Sequence, residues 1–402
     1  MHIFVFNTFP PRAVHLIKLQ LVDFKNHKEA CVELGSGVNC FLGDNGSGKT
    51  NILDAVHYLG NCKSFFNPID SQNIRHNAEF MVVDGTFELL EPEGDLRTDR
   101  VVCAVKRGQK KSFKRNDKLY TKLADHIGKF PVVMIAPSDT ELIHGGSEVR
   151  RRLMDQIISQ FDRGYLDRLM DYNRLLLQRN NLLRYFAENR KWDPEQIAPW
   201  NERMVPLATF IHEARKVFIT RFVETFDGIH RELCGGREQV GLDYSSGLST
   251  GDFAAQLSEA APDDRRLRRT TVGVHKDDLS CTLGGRPIKR FGSQGQQKTF
   301  LLALRLAQVA YLAKAVGRPP ILLLDDIFDK IDQHRAGALM AHVATNDFGQ
   351  VIITDTALGR IPALLRAAGI EPRVFAVSPD GVDLIEPNKQ PEIQPNHATE
   401  EV

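Results

Sequence analysis

The 402-residue chain lacks any uninterrupted apolar run close to the roughly 20 residues that a membrane-spanning helix needs, so a transport role would require a membrane domain from another chain. It also lacks a Cys-x-x-Cys pair. Its cysteines, Cys31, Cys40, Cys62, Cys103, Cys234 and Cys281, stand far apart with no paired histidines nearby, which excludes the usual zinc spacings and leaves free thiols as the expectation. Net charge is lacking too: 52 basic against 51 acidic side chains leave a formal +1, so nucleic acid is not drawn by the overall field and must be held by local basic patches, if at all. Zinc-finger, recognition-helix and RNA-binding signatures are missing, as are internal repeats. The leader has a short apolar run broken by Asn7 and the Pro10-Pro11 pair, too little for a secretion signal, so a cytoplasmic protein without a membrane partner is expected.

What is present is enough apolar sequence, 42% against 26% charged, to bury a large core in two or three structural units. After a leader at 1–14, residues 15–140 alternate strand-like runs (16–22, 38–42, 80–89, 100–106) with turns and one short helix, an α/β pattern. Between Pro137 and Pro194 no proline occurs, and Leu153, Ile157, Phe161, Leu166, Leu169, Leu176 and Leu183 recur near helical spacing. Residues 141–266 are therefore expected to be an inserted helical domain, its helices either packed on the core or projecting as an arm. The α/β character returns at 267–386, with a helical run at 296–315 and buried strands at 321–324 and 351–354, and the two α/β parts are expected to share a sheet system. Residues 387–402, polar and proline-rich, are expected to be a disordered tail.

Gly43-Asp44-Asn45-Gly46-Ser47-Gly48-Lys49-Thr50 fits G-x-x-x-x-G-K-[ST] and lies between a strand and a helix, where a phosphate-binding loop belongs. Its glycines let backbone N–H groups face phosphates, Lys49 offsets β/γ-phosphate charge, and the Thr50 hydroxyl suits Mg²⁺. The complementary half is Ile321-Leu322-Leu323-Leu324-Asp325-Asp326, a buried strand ending in acids. Asp325 is expected to hold Mg²⁺ and Asp326 to orient or deprotonate the attacking water. Standing alone, two aspartates after an apolar run would be a strand end meeting solvent.

Ser293-Gln294-Gly295-Gln296-Gln297-Lys298 opens a helix about thirty residues before that strand; alone it reads as a plain N-cap serine. In this order after the phosphate loop, it resembles the signature motif of ABC-type ATPases. That resemblance implies that Ser293, Gly295 and Gln296 close on ATP held by a second copy, hence an ATP-dependent homodimer. The fold expected is α/β, an ABC-type P-loop ATPase head with an inserted mainly helical domain.

Further stretches resemble the RecF family over about residues 16–387. Phe24-Lys25-Asn26-His27 is similar to a family pattern that usually carries Arg and Tyr at the positions of Lys25 and His27; a lysine there reaches a phosphate without the bidentate fork. Gly273-Val274-His275-Lys276-Asp277-Asp278 resembles the family's Gly-Pro-His-Arg-Asp-Asp, Pro137-Ser138-Asp139 its Pro-Glu-Asp, and Asp329-Lys330-Ile331-Asp332 its D-loop. The resemblance implies an ATP-dependent clamp on double-stranded DNA near single-strand gaps, a weak DNA-stimulated ATPase whose slow hydrolysis releases it. RecR and RecO are its implied partners. Basic runs at Lys106-Arg107, Lys110-Lys111, Lys114-Arg115, Arg150-Arg151-Arg152 and Arg265-Arg266, Arg268-Arg269 are candidate phosphate contacts, though most such runs are solvated faces. The rival is another ABC head, of chromosome-maintenance or transporter type. The 276 positions from Lys49 to Asp325 (325 − 49) are too few for long coiled-coil arms. A P-loop kinase would leave Ser293 without a role.

Overall fold

The computed structural model describes residues 13–91, 94–236, 238–328, 336–337, 339, 349–357 and 359–385. The first sheet is antiparallel and N-terminal: β1 (Val14–Phe24), β2 (His27–Glu33), β4 (Phe80–Leu90), β5 (Leu96–Lys106), β6 (Ser112–Arg115) and β7 (Lys118–Leu119), in the order β2-β1-β4-β5-β6-β7. The second draws on both ends of the chain: β3 (Val38–Leu42) and β8 (Val132–Ile135) join β12 (Ile321–Asp325), β13 (Val351–Asp355), β14 (Arg373–Ser378) and β15 (Gly381–Ile385) in the order β15-β14-β3-β13-β12-β8. All its pairings are parallel except β14 with β15.

Both faces of this second sheet are covered, which is why its strands read as unbroken apolar runs. Side chains alternate across the pleat. Ile321 and Leu323 face a core shared with α1 (Lys49–Asn61) and the antiparallel sheet, while Leu322 and Leu324 face a core shared with helices of the middle of the chain. Fully burying one such side chain contributes roughly 1.5–3 kcal/mol.

The middle of the chain holds α2 (Glu141–His144), α3 (Ser147–Phe161), α4 (Arg163–Glu188), α5 (Pro194–Cys234), α6 (Phe253–Glu259) and α7 (Ala261–Leu267), with strand β9 (Val240–Ser245) between α5 and α6. Asp162 ends α3 and caps α4, its side chain accepting from the Tyr165 N–H at 2.9 Å. Helix α5 runs 41 residues through Pro199 and Pro206, where a proline-based reading would stop it. Buried residues from Met204 to Leu233 line one side of α5, and that packing outweighs the two lost backbone bonds. The base of the α4–α5 hairpin packs on the head, whereas its far turn has its own small core of Leu183, Phe186 and Ile197. Strand β9 pairs with β10 (Asp278–Leu283), which also carries β11 (Arg286–Pro287), so hydrogen bonding crosses the division drawn at residue 266.

A short α8 (Ile288–Phe291) precedes α9 (Gln294–Val316), and α10 (Arg360–Ala367) lies between β13 and β14. Helix α9 is long and apolar enough, by length and composition, to cross a membrane, contrary to what uninterrupted runs suggested. It is a core helix: Phe300, Leu304, Ala307 and Val309 are buried, and buried Arg305 is paired with Asp139. Of the leader, residues 1–12 lie outside the described residues, whereas Val14 opens β1 and is fully buried. The expected tail at 387–402 and the Asp329–Asp332 stretch also lie outside them.

Candidate functional site

Strands β3, β12 and β13 run parallel and end together, so whatever follows each lands at one carboxyl edge. After β3 the chain turns through Gly43 to Gly48 into α1. At Gly43 any Cβ would lie 2.2 Å from the Val377 carbonyl oxygen, and Gly48 adopts φ 110° with Asn26 and His27 within 2.6 Å of a would-be Cβ. Only glycine fits either position. Helix α1 has no side-chain cap and no acid in its first turn, so its leading N–H groups and positive dipole end are left for an anion.

Lys49 is buried, and its Nζ donates to the carbonyls of Gly43 at 2.7 Å and Asp44 at 2.8 Å. Burial lowers its pKa, and the charges of Asp326, Asp325, Asp44 and Asp355 pull it back up. The Thr50 hydroxyl donates to Asp325 Oδ1 at 2.8 Å across 275 residues of sequence. Thr354, facing Asp325 across the β12–β13 ladder, donates to the same oxygen at 2.8 Å. Burial raises the Asp325 pKa; the bonds from Thr50 and Thr354 oppose this, the Asp326 charge adds to it, and Lys49 opposes it. Asp326 sits at φ 49°, a left-handed conformation that aspartate tolerates better than most residues, with its N–H bonded to Thr354 Oγ1 at 3.1 Å. Its Oδ1 is buried without a hydrogen-bond partner, as is Ser47 Oγ. A cavity of about 150 Å³ opens between Asn45, Gly46, Lys49, Thr50 and Asp326.

The structure thus gathers Gly43 to Thr50, Asp325 and Asp326 at one place. Ser293, Gly295 and Gln296 are elsewhere: none bonds to the phosphate loop. Ser293 is exposed and caps α9, its Oγ accepting from the Gln296 N–H at 3.3 Å while Gln296 Oε1 accepts from the Ser293 N–H at 2.7 Å. Gln296 Nε2 also donates to Glu238 at 2.8 Å.

Lys25 does not reach out for a phosphate. Its Nζ pairs at 2.7 Å with Asp54, whose carboxylate is fully buried. The neighbouring Asn26 donates to the Ser47 carbonyl at 3.1 Å and His27 Nε2 to that of Gly48 at 3.1 Å, so this turn braces the phosphate loop from behind. Asp139 holds Arg305 and the Ala136 N–H, tying the loop after β8 to α9. Of the basic runs, Arg150 pairs with Asp278, Arg151 donates to the Asp277 carbonyl at 2.6 Å, Arg115 binds Asp99 and Lys111 binds Asp70. Exposed Lys106, Lys110, Lys114, Arg268 and Arg269 have no ion pair among the described residues.

Sequence reasoning missed Thr354 and Asp355. Asp355 is buried, accepts from the Thr356 N–H at 2.7 Å and lies 3.5 Å from Arg360. The signal was available, since 351–355 is a second apolar run ending in an acid beside Asp325.

A model for the RecF/RecN/SMC N terminal domain matches residues 15–362. The chain is 45% identical over 362 residues to the DNA replication and repair protein RecF of Flavobacterium johnsoniae, covering 90% of this chain and 99% of that one. It is 46% identical over 363 residues to that of Phocaeicola vulgatus, covering 90% and 96%. In fold it is similar to the recombination mediator protein RecF solved with ATP in the RecFOR pathway, with a TM-score of 0.84, 23% identity and coverage of 95% and 100%. An Smc head bound to the C-winged helix domain of ScpA is more distant, with a TM-score of 0.55, 16% identity and coverage of 92% and 97%. The α/β fold is therefore that of ABC-type ATPase heads with a large helical region, and at this identity over nearly the whole chain the protein belongs to the RecF family, whose members named here are DNA replication and repair proteins.

Proposed function

We propose that this chain is an ATP-dependent DNA-binding clamp of recombinational repair and replication restart, acting in the cytoplasm on double-stranded DNA near single-strand gaps. The observation that carries this reading is the meeting of Thr50 and Asp325 at 2.8 Å, beside Lys49 and the unpartnered oxygen of Asp326. Two motifs far apart in sequence become one phosphate-and-metal site.

The donor set fits Mg²⁺: hard oxygens from a hydroxyl and a carboxylate, at a separation close to the roughly 3 Å between adjacent corners of an octahedron with 2.1 Å bonds. Thr50 and Asp325 would hold the ion, which when bound with ATP neutralises phosphate charge. Lys49 turns from its loop carbonyls to the β/γ-phosphates, and the N–H groups of residues 46–50 cradle them. Asp326 orients the attacking water and accepts its proton. Turnover is slow, stimulated by DNA, and releases the clamp.

On this reading Ser293, Gly295 and Gln296, none of them hydrogen-bonded to the chain's own loop, close the site of a second copy, making ATP the glue of a homodimer. Lys106, Lys110, Lys114, Arg268 and Arg269, without an ion pair among the described residues, address DNA phosphates without reading bases, with a log–log salt slope of about −0.9 per phosphate neutralised. RecR and RecO are its partners on this reading; support comes from the family and from the RecFOR pathway named for the solved relative.

The test is a titration of duplex DNA with Mg-ATP, with ADP and with no nucleotide. Tight, salt-sensitive binding in ATP alone is expected. Equal affinity in all three states, or strong preference for one base sequence, contradicts the reading.

A further inference from the structure

Helix α5 ends in a cluster that no nucleotide chemistry accounts for. His230 and Cys234 lie one turn apart on its last turns, and the chain then reverses through Gly235 (φ 67°) and Gly236 (φ 74°), both left-handed. The reversal brings Glu238 back, and one donor atom from each of His230, Cys234 and Glu238 lies within 4.8 Å of the others.

We propose that His230, Cys234 and Glu238 form a binding site for a divalent transition ion of the zinc class, which clasps the end of α5 to the start of α9. Three features argue for it. First, His230 Nδ1 and Cys234 Sγ are 3.5 Å apart. Ligands bound at about 2.0 Å (nitrogen) and 2.3 Å (sulfur) on two corners of a tetrahedron are separated by about 3.5 Å, so these two need not move.

Second, Glu238 is already held. Its Oε1 accepts from Gln296 Nε2 at 2.8 Å, a bond that restrains the carboxylate, as ligating carboxylates generally are restrained, and still leaves it acceptor capacity for an ion. Gln296 in turn accepts from the Ser293 N–H at 2.7 Å. A continuous chain of bonds therefore links the cluster to the cap of α9.

Third, the donor set is selective and its charge balances. Thiolate with imidazole favours zinc-class ions over Mg²⁺ or Ca²⁺, which prefer oxygen throughout. On binding, the Cys234 thiol releases its proton to solvent and its sulfur gives an electron pair to the ion; the imidazole is neutral and the carboxylate already ionised. Thiolate and carboxylate together cancel the ion's two charges. His230 is buried while Cys234 and Glu238 are half-buried, so the site has a closed floor and an open side where water fills the fourth position.

The full chain, reduced and stripped with a chelator, is titrated with Co²⁺ in the absence of nucleotide. The expected result is one equivalent bound with tetrahedral d–d absorption and a thiolate-to-cobalt charge-transfer band, both removed by Zn²⁺. Cobalt bound among the oxygens of Thr50 and Asp325 gives no thiolate band, which separates the two sites. Cys234→Ser, checked for its fold by circular dichroism, should abolish the band, and Glu238→Gln should keep the band but weaken binding at least about tenfold. Cys31→Ser, changing an exposed thiol, should alter neither. Absence of stoichiometric tetrahedral cobalt, or a thiolate band that survives Cys234→Ser, overturns the proposal.

Discussion

Two aspartate pairs in this chain look alike in sequence and differ in everything around them. Asp277-Asp278 is locked between helices. Asp277 Oδ2 takes the guanidinium of Arg215 at 2.8 Å and the Tyr244 hydroxyl at 2.5 Å, and Asp278 takes Arg150 in a two-bond fork at 2.8 and 3.0 Å. Arg215 also grips Asp155, so α3, α5 and the turn leading into β10 are joined at one buried cation. Among the described residues the Asp325-Asp326 carboxylates meet only the hydroxyls of Thr50 and Thr354, both on Asp325, with no ion pair, and one buried oxygen of Asp326 is bare. Carboxylates matched by arginine hold structure together, whereas carboxylates left unmatched beside a phosphate loop are, on the proposed reading, the ones available to a cation.

Four changes probe that contrast, in falling order of effect. Lys49→Ala removes a cation whose charge acts on the second pair and should lower ATP affinity more than roughly a thousandfold, about 4 kcal/mol, by equilibrium binding, with thermal stability kept. Asp277→Ala should do the reverse, costing about 3–4 kcal/mol in denaturant unfolding because it leaves Arg215 short of a partner, while ATP affinity in the folded fraction is unchanged. If Asp277→Ala were neutral for stability, the structural role of the first pair would be wrong.

Histidine chemistry gives the third. His275 accepts from the Tyr172 hydroxyl at Nδ1, 2.8 Å away, and donates from Nε2 to the Thr270 carbonyl at 3.1 Å, a neutral arrangement. Burial pushes its pKa down to about 4 from 6.5; His57 and His126 are likewise pushed to about 4. Between pH 6.5 and 4 the unfolded chain binds these protons and the folded one does not, so stability is whole above pH 6.5 and falls as pH drops through this window. His275→Gln should flatten that fall by about 2–3 kcal/mol in unfolding titrations against pH. Smallest for the monomer is Ser293→Arg, which loses a cap worth about 1 kcal/mol yet should block the proposed ATP-dependent dimer, with light scattering in Mg-ATP as the readout.

The sequence carried the phosphate loop and the acidic strand because their chemistry is local: each is a short run whose residue types serve one purpose. It also carried the strands of the parallel sheet, since burial on both faces leaves no polar alternation. Partner choice was not local. Nothing in the runs containing Lys25, Arg150 and Arg151 distinguishes a cation bound to Asp54 or Asp278 from one facing DNA, because those partners arrive from elsewhere in the chain. Likewise α5 passes two prolines on the strength of tertiary packing that no propensity contains. The cluster of His230, Cys234 and Glu238 was hidden because a helix end, rather than a Cys-x-x-Cys turn, brings it together.

The most direct measurement sets ATP affinity beside ATP turnover in Asp326→Asn. The substitution keeps size and most hydrogen bonding but removes the charge that the proposed role of Asp326 as a base requires. Near-normal ATP affinity is expected with turnover reduced about 10²–10⁴-fold, and an ATP-bound dimer that leaves duplex DNA more slowly than wild type. Wild-type turnover, or ATP affinity lost along with it, would contradict the assignment of Asp325-Asp326 as the working pair.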